Sequence, residues 1–142
     1  MAEGNQGLIV PVIVDTNIIV DVITDDPRWS VWSIAQLEKH DSQGLVINPF
    51  IYCELCYGFS SRQAVDELVK RFGLTYEAVP RLGLFKAAKA FQRYKSRRGR
   101  KHSVLPDFFI GGHAEATHQP LLTRDKGRYA TYFQSVRLIC PT

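Results

Sequence analysis

Asp15, Glu54, Asp107 and Asp125 are the residues of this chain whose types and settings suit chemistry. Asp15 ends the apolar run Ile9-Val10-Pro11-Val12-Ile13-Val14 and opens Asp15-Thr16-Asn17. Glu54 lies in Pro49-Phe50-Ile51-Tyr52-Cys53-Glu54-Leu55, and Asp107 follows the proline of Leu105-Pro106-Asp107-Phe108-Phe109-Ile110. Asp125 closes Leu121-Leu122-Thr123-Arg124-Asp125. A carboxylate in apolar surroundings is costly unless it is paired, protonated or metal-bound. Acids at the ends of elements that can converge point to a site for a hard divalent cation, because Mg²⁺ and Mn²⁺ favour carboxylate oxygens and water. Such an ion lowers the pKa of a bound water and neutralises charge on a phosphoryl oxygen. Each acid alone has a plainer explanation. Asp15 and Asp107 suit helix N-termini, Glu54 suits a solvated surface, and Asp125 suits an Asx-turn with Lys126-Gly127.

The elements around these residues read as alternating strands and helices. Residues 8–14 form a continuous apolar run, as expected of a strand buried on both faces. A short helix is expected over 17–24, and a second from Pro27 or Arg28 to about His40. Ser42-Gln43-Gly44 reads as a turn and Leu45-Val46-Ile47 as a second buried strand. Asn48-Pro49 has the form of an N-cap followed by a first-turn proline, opening a helix to about Gly58. Ser60 or Ser61 caps another helix that Gly73 ends, and 74–79 suits a third strand. Residues 82–97 suit an amphipathic helix with Leu84, Phe85, Ala87, Ala88, Phe91 and Tyr94 as its apolar stripe. Pro106 opens a helix to about Thr117, in which Gly111 and Gly112 suggest a close approach to the sheet. Strands at 120–123 and 136–139 follow, with a turn or short helix at 127–133 between them. This order predicts an α/β three-layer sandwich, a central mainly parallel sheet of about five strands flanked by helices. Ligands of such sheets bind beyond the carboxyl ends of the strands, where Asp15 and Asp125 both stand.

The 142 residues, 45% hydrophobic and 23% charged, suit one domain with one core, expected over 8–142 after a polar tail at 1–7. Three cysteines give no disulfide framework and suit a reducing compartment. The first apolar run is too short for a membrane span or a signal peptide, so a cytoplasmic protein without membrane attachment is expected. A net charge of +4 permits an anionic partner. Residues 95–102, Lys-Ser-Arg-Arg-Gly-Arg-Lys-His, end just before Pro106-Asp107. Arg97, Arg98, Arg100 and Lys101 are therefore candidate phosphate contacts, and Tyr94, Tyr129 and Phe133 candidate base-stacking or core residues. Cys53 and Cys56 lack a second ligand pair for zinc and are expected as buried free thiols. No GxGxxG or P-loop is present.

The four acidic segments resemble, in order and spacing, those of the PIN-domain ribonucleases, and within them the VapC-like toxins of toxin–antitoxin pairs. Val12-Ile13-Val14-Asp15-Thr16-Asn17 is similar to the opening strand and first catalytic aspartate. Glu54-Leu55-Cys56-Tyr57-Gly58 resembles the glutamate-bearing "E-L-x-x-G" helix. Residues 106–114, Pro-Asp-Phe-Phe-Ile-Gly-Gly-His-Ala, resemble "P-D-x-x-I-x-x-x-A", and 121–125 resemble the "L-x-T-x-D" strand end. Many members carry one further aspartate before an aromatic, where this chain has Arg128-Tyr129, so Asp125 serves alone. The resemblance implies an endoribonuclease in which Mg²⁺ or Mn²⁺ activates water, leaving a 3′-hydroxyl and a 5′-phosphate. It implies Asp15, Asp107 and Asp125 as metal ligands and Glu54 as a water-mediated ligand or the group that orients the water. Thr16, Asn17 and Thr123 would brace the carboxylates through hydrogen bonds. It also implies an RNA substrate, a cognate antitoxin and a homodimer. The helix with Trp29, Trp32 and Leu37 and the helix with Leu68 and Phe72 are candidate dimer faces. The alternative is a PIN fold that binds RNA or protein without cleaving. A phosphatase of the haloacid dehalogenase type needs a second aspartate where Asn17 stands.

Overall fold

A computed structural model describes residues 9–97, 99–101 and 104–142. The expected N-terminal tail, and Arg98 of the basic run, lie outside the described residues.

Val12–Val14 (β1) and Leu45–Ile47 (β2) are short, aliphatic and wholly buried, as strands covered on both faces must be. Leu74–Tyr76 (β3), Leu121–Leu122 (β4) and Leu138–Ile139 (β5) complete one parallel sheet in the order β3-β2-β1-β4-β5. The register sets Ile13 between Val46 and Leu121, and Val14 beside Leu122. β1 is shorter than the apolar run suggests. Pro11 has no N–H to give a ladder, and Ile9 and Val10 are exposed.

The helices are Thr16–Ile23 (α1), Ser30–His40 (α2), Pro49–Cys56 (α3), Arg62–Arg71 (α4), Arg81–Ser96 (α5), Leu105–Thr117 (α6) and Gly127–Tyr132 (α7). α2 starts later than expected because the Asp26 carboxylate accepts from the N–H groups of Arg28 and Trp29, holding Pro27 in a turn. α3 begins as anticipated, with Asn48 Oδ1 accepting from the N–H groups of Phe50 and Ile51 and Pro49 in the first turn. Ser61 caps α4 through Ala64 N–H. The strand order reverses at β1, with β2 and β3 added on one side of it and β4 and β5 on the other. Among the described residues no helix is long and apolar enough to cross a membrane.

α5 and α6 pack differently from the sequence expectation. Leu84 and Phe85 face outward, at 38% and 60% exposure, and the buried face of α5 is Gly83, Ala87 and Ala90. The glycines of α6 serve helix neighbours rather than the sheet. A Cβ on Gly112 would collide with the backbone oxygen of Gly83 and press on Ala87, and one on Gly111 would enter the Phe133 ring. Small residues on both helices let them approach more closely than larger side chains would. Gly112→Ala should therefore lower stability by about 1–3 kcal/mol despite its better helix propensity, because the obstruction is backbone. Thermal unfolding will show it as a drop of several degrees. An unchanged midpoint would mean the two helices separate freely.

Candidate functional site

Asp15 leaves β1 and Thr123 leaves β4, adjacent strands at the point where the strand order reverses, so the crevice for a ligand opens between them. The Asp15 N–H donates to the Leu122 carbonyl at 2.9 Å, which ties the two strand ends together. The Asp15 side chain is 5% exposed. Its Oδ1 accepts from Thr16 N–H at 2.8 Å, capping α1. Its Oδ2 accepts from Thr123 Oγ1 at 2.8 Å, Tyr129 OH at 3.0 Å and Asn17 Nδ2 at 3.4 Å. The helix-cap role and the site role of Asp15 thus coexist.

Asp107, in the first turn of α6, comes in from the other side. The Tyr129 hydroxyl stands 3.5 Å from its Oδ1, and the Arg128 guanidinium donates to its Oδ2 at 2.8 Å. The hydroxyl has one proton, and the shorter contact assigns it to Asp15. Glu54, half-buried on α3, accepts from Thr16 Oγ1 at 2.6 Å through Oε1. Asp125 is exposed on the loop after β4, its own N–H donating to Thr123 Oγ1 at 3.0 Å. Thr16, Asn17 and Thr123 thus each touch an acidic residue.

Burial governs the electrostatics. Desolvation, and then the negative charge of Asp107, push the Asp15 carboxyl from 3.8 up to about 7, against the hydrogen bonds it receives. Burial also lifts Asp107 to about 6, helped by Glu54 and Asp125 and opposed by Arg128. Burial and the surrounding carboxylates hold the Tyr129 hydroxyl well above its ordinary value, so it remains a donor. Among the described residues no three His, Cys, Asp or Glu side chains gather closely enough to hold a metal ion between them. The donor set still suits Mg²⁺. That ion is commonly bound by one or two carboxylates and keeps several waters, and Asp15 and Asp107 are two desolvated, mutually repelling carboxyls that a cation would relieve.

Three participants escape a reading of motifs alone. Tyr129, a candidate for base stacking, is 1% exposed and spans Asp15 and Asp107 instead; Phe133 is equally buried. Arg128 is paired with Asp107. Asp21, 2% exposed, receives two hydrogen bonds from Arg124, at 2.7 and 2.9 Å, and one from Ser33. Arg124 N–H also donates to Asn17 Oδ1, so α1 grips the loop that carries Asp125. The signal for Asp21 was its place one turn after Asn17 on the same helix face. Cys53 and Cys56 are free thiols, but Cys53 is exposed and Cys56 half-buried rather than both buried, because Ile51 and Leu55 take the inner face of α3.

The basic run lies against this site through Tyr94. Gly99 packs on the Tyr94 ring, Lys101 N–H donates to its hydroxyl at 3.2 Å, and the Arg128 guanidinium lies over the ring at 5.8 Å. Arg97 stands over the Tyr132 ring, while Arg100 and Lys101 are exposed. On the far side of the acid pair, Asn48 Nδ2 lies 3.2 Å from His113 Nδ1, both buried, bracing α3 against α6. Asn48 Oδ1 already accepts two N–H groups, so its amide donates and the His113 ring carries its proton on Nε2.

A family model described as PIN domain matches residues 12–134. No curated protein sequence is matched significantly. Among solved structures, a chain of VapBC2 from Rickettsia felis, bound to a DNA fragment from its promoter, superposes with a TM-score of 0.72 at 17% identity, covering 93% of this chain and 99% of that one. DNA-bound VapBC from Salmonella typhimurium gives 0.69 at 15% identity, covering 92% and 98%. VapBC-1 from nontypeable Haemophilus influenzae gives 0.65 at 20% identity, covering 92% and 97%. At these identities the likeness is one of fold.

Proposed function

The chain belongs to the PIN-domain family, and from that premise we propose that it is a metal-dependent endoribonuclease, the toxin of a toxin–antitoxin pair. The observation that carries the reading is the Asp15–Asp107 pair, two desolvated carboxyls facing one tyrosine hydroxyl beside the strand reversal. Bound Mg²⁺ or Mn²⁺ would supply an acidified water as nucleophile and charge neutralisation at the phosphoryl oxygen. Asp15 and Asp107 would hold the ion, with Asp125 reaching in from the loop. Glu54, its rotamer held by Thr16, would orient the attacking water. Thr123, Tyr129 and Asn17 fix the Asp15 carboxylate in one orientation. The test is cleavage of RNA by the purified chain with Mg²⁺ or Mn²⁺ and with chelator. Cleavage is expected only with metal, leaving 3′-hydroxyl ends.

The rival, an RNA- or protein-binding PIN fold without catalysis, draws support from the Asp107–Arg128 ion pair. Binding of RNA with no cleavage at any metal concentration would establish the rival.

RNA would approach along the basic run. Substituting Gln for Arg97, Arg98, Arg100 and Lys101 should weaken RNA binding with the fold intact. The slope of log affinity against log salt should fall by roughly 0.7 for each phosphate of single-stranded RNA that is no longer neutralised. An unchanged slope would move the RNA path elsewhere.

An antitoxin partner is supported by the neighbours' own composition as VapBC complexes. Val20, Ile23, Val31 and Ile34 of α1 and α2 are exposed apolar side chains that such a partner would cover. A homodimer is also expected. Leu68 is buried, Trp32, Leu37 and Phe72 are partly buried, with Leu37 and Phe72 lining an open groove, and the Arg28 and Arg124 guanidiniums lie over the Trp29 ring. Phe85, Leu82 and Tyr57 are the outward-facing alternatives. Sedimentation at tens of micromolar should give a dimer that Phe85→Glu dissociates. A monomer under those conditions would remove the dimer from the proposal.

A further inference from the structure

Arg128 stands where the acidic site would otherwise carry uncompensated negative charge. Its guanidinium is 2.8 Å from Asp107 Oδ2, and the two side chains are 22% and 25% exposed. The seat is built on two further contacts. The guanidinium lies over the face of Tyr94, and Tyr94 is itself backed by Gly99, where a Cβ would stand 2.5 Å from the ring. Arg128 and Tyr129 are consecutive residues of α7, and together they face both oxygens of Asp107, Arg128 at Oδ2 and Tyr129 at Oδ1. A metal ion at Oδ2 of Asp107 must therefore displace the guanidinium, and one at Oδ1, which receives no proton from Tyr129, would sit against the guanidinium's positive charge. Tyr129 is 1% exposed and anchored to Asp15. Arg128 reaches solvent and has a long flexible stem, so it is the one that can move.

We propose that Arg128 is a tethered counter-cation of the acidic site, which competes with the divalent ion for Asp107. The proposal rests on the metal-nuclease reading above. In this arrangement Asp107 Oδ2 is directed at a guanidinium. Arg128 supplies a positive charge that the metal must displace. The site then holds its metal weakly, and occupancy follows the free concentration of the ion.

The experiment is calorimetric titration with Mn²⁺ at pH 8 and low salt, on the full chain as wild type, Arg128→Gln, Arg128→Met and Asp15→Asn. Removing the guanidinium should tighten Mn²⁺ binding by about tenfold or more, since a direct ionic competitor has gone. The same variants should unfold at lower temperature than wild type without metal and gain more from saturating Mn²⁺. Two uncharged replacements of different polarity guard against a variant that fails to fold, which circular dichroism will reveal. Suppose wild type and the Arg128 variants bind Mn²⁺ equally, or the variants bind more weakly, while Asp15→Asn loses binding. The competition is then overturned and the metal-nuclease reading stands. Absence of Mn²⁺ binding in all four chains would overturn both.

Discussion

Asp107→Asn will lose turnover on RNA by on the order of a hundredfold or more, equivalent to roughly 3 kcal/mol of transition-state stabilisation. Asn keeps the size of the side chain and one oxygen but removes the negative charge that a divalent ion would need. The fold should survive. Tyr129 keeps its 3.0 Å bond to Asp15, and Arg128, already in contact with water, can turn outward. RNA affinity should hold or rise, because one charge that repels phosphate has gone. The measurements are single-turnover cleavage in Mg²⁺ or Mn²⁺, RNA binding by anisotropy, and growth on induced expression. Wild type should arrest growth and Asp107→Asn should not. Cleavage by the variant at the wild-type rate would remove Asp107 from catalysis. Growth arrest that persists without cleavage would favour the binding module.

The chain's topology was legible because β1, β2 and β4 are continuous apolar runs bounded by cap and turn residues with one local meaning each. Asn48-Pro49 opened α3, and Ser61 and Gly73 bounded the segment containing α4, where Gly73 takes a positive φ of 66°. The rule for open parallel sheets brought Asp15 and Asp125 to one end of the sheet, where the structure sets Thr123 against Asp15 and leaves Asp125 exposed on the loop beyond. The partners of those acids were less legible, since they come from tertiary contacts that no local pattern encodes. Tyr129 is 114 positions from Asp15, and Arg124 is 103 from Asp21. An aromatic within a helix reads equally as core, stacking platform or hydrogen-bond donor. Only burial beside two carboxylates distinguishes the last. The α5 stripe held at Ala87, Phe91 and Tyr94 and failed at Leu84 and Phe85. Hydrophobicity counts Phe85 as inward, but where Gly83 and Ala87 meet Gly112 of α6 only small residues fit, and Leu84 and Phe85 turn out.

In chelator, the wild-type chain will grow more stable as pH falls from 8 toward 6.5, and Asp15→Asn will lose most of that gain. Burial and the charge of Asp107 raise the folded Asp15 carboxyl from 3.8 to about 7, so between those values the folded state binds a proton that the unfolded chain has released. Its contribution is fully present below 3.8 and is lost as pH rises through about 7. The size is on the order of 4 kcal/mol between the extremes. Asp107, lifted to about 6, acts in the same direction, and the two carboxyls titrate as a pair. His113 opposes them. Burial holds it neutral, so its contribution is present above 6.5 and is lost as pH falls through its lowered folded value. The net gain should therefore set in as pH falls through about 7, with Asp107 extending it toward about 6 and His113 offsetting part of it below 6.5. Asp15→Asn will not simply add the missing stability at pH 8. Its amide would face the Thr123 and Tyr129 hydroxyls, and Thr123 Oγ1 already accepts from Asn17 and Asp125. That mismatch costs about 1–3 kcal/mol, which makes the pH slope the cleaner readout. Mn²⁺ at pH 8 should raise the wild-type midpoint, release protons on binding and leave Asp15→Asn nearly unmoved. Equal pH slopes in the two chains, or equal shifts with Mn²⁺, would mean that Asp15 is a helix cap and holds no metal.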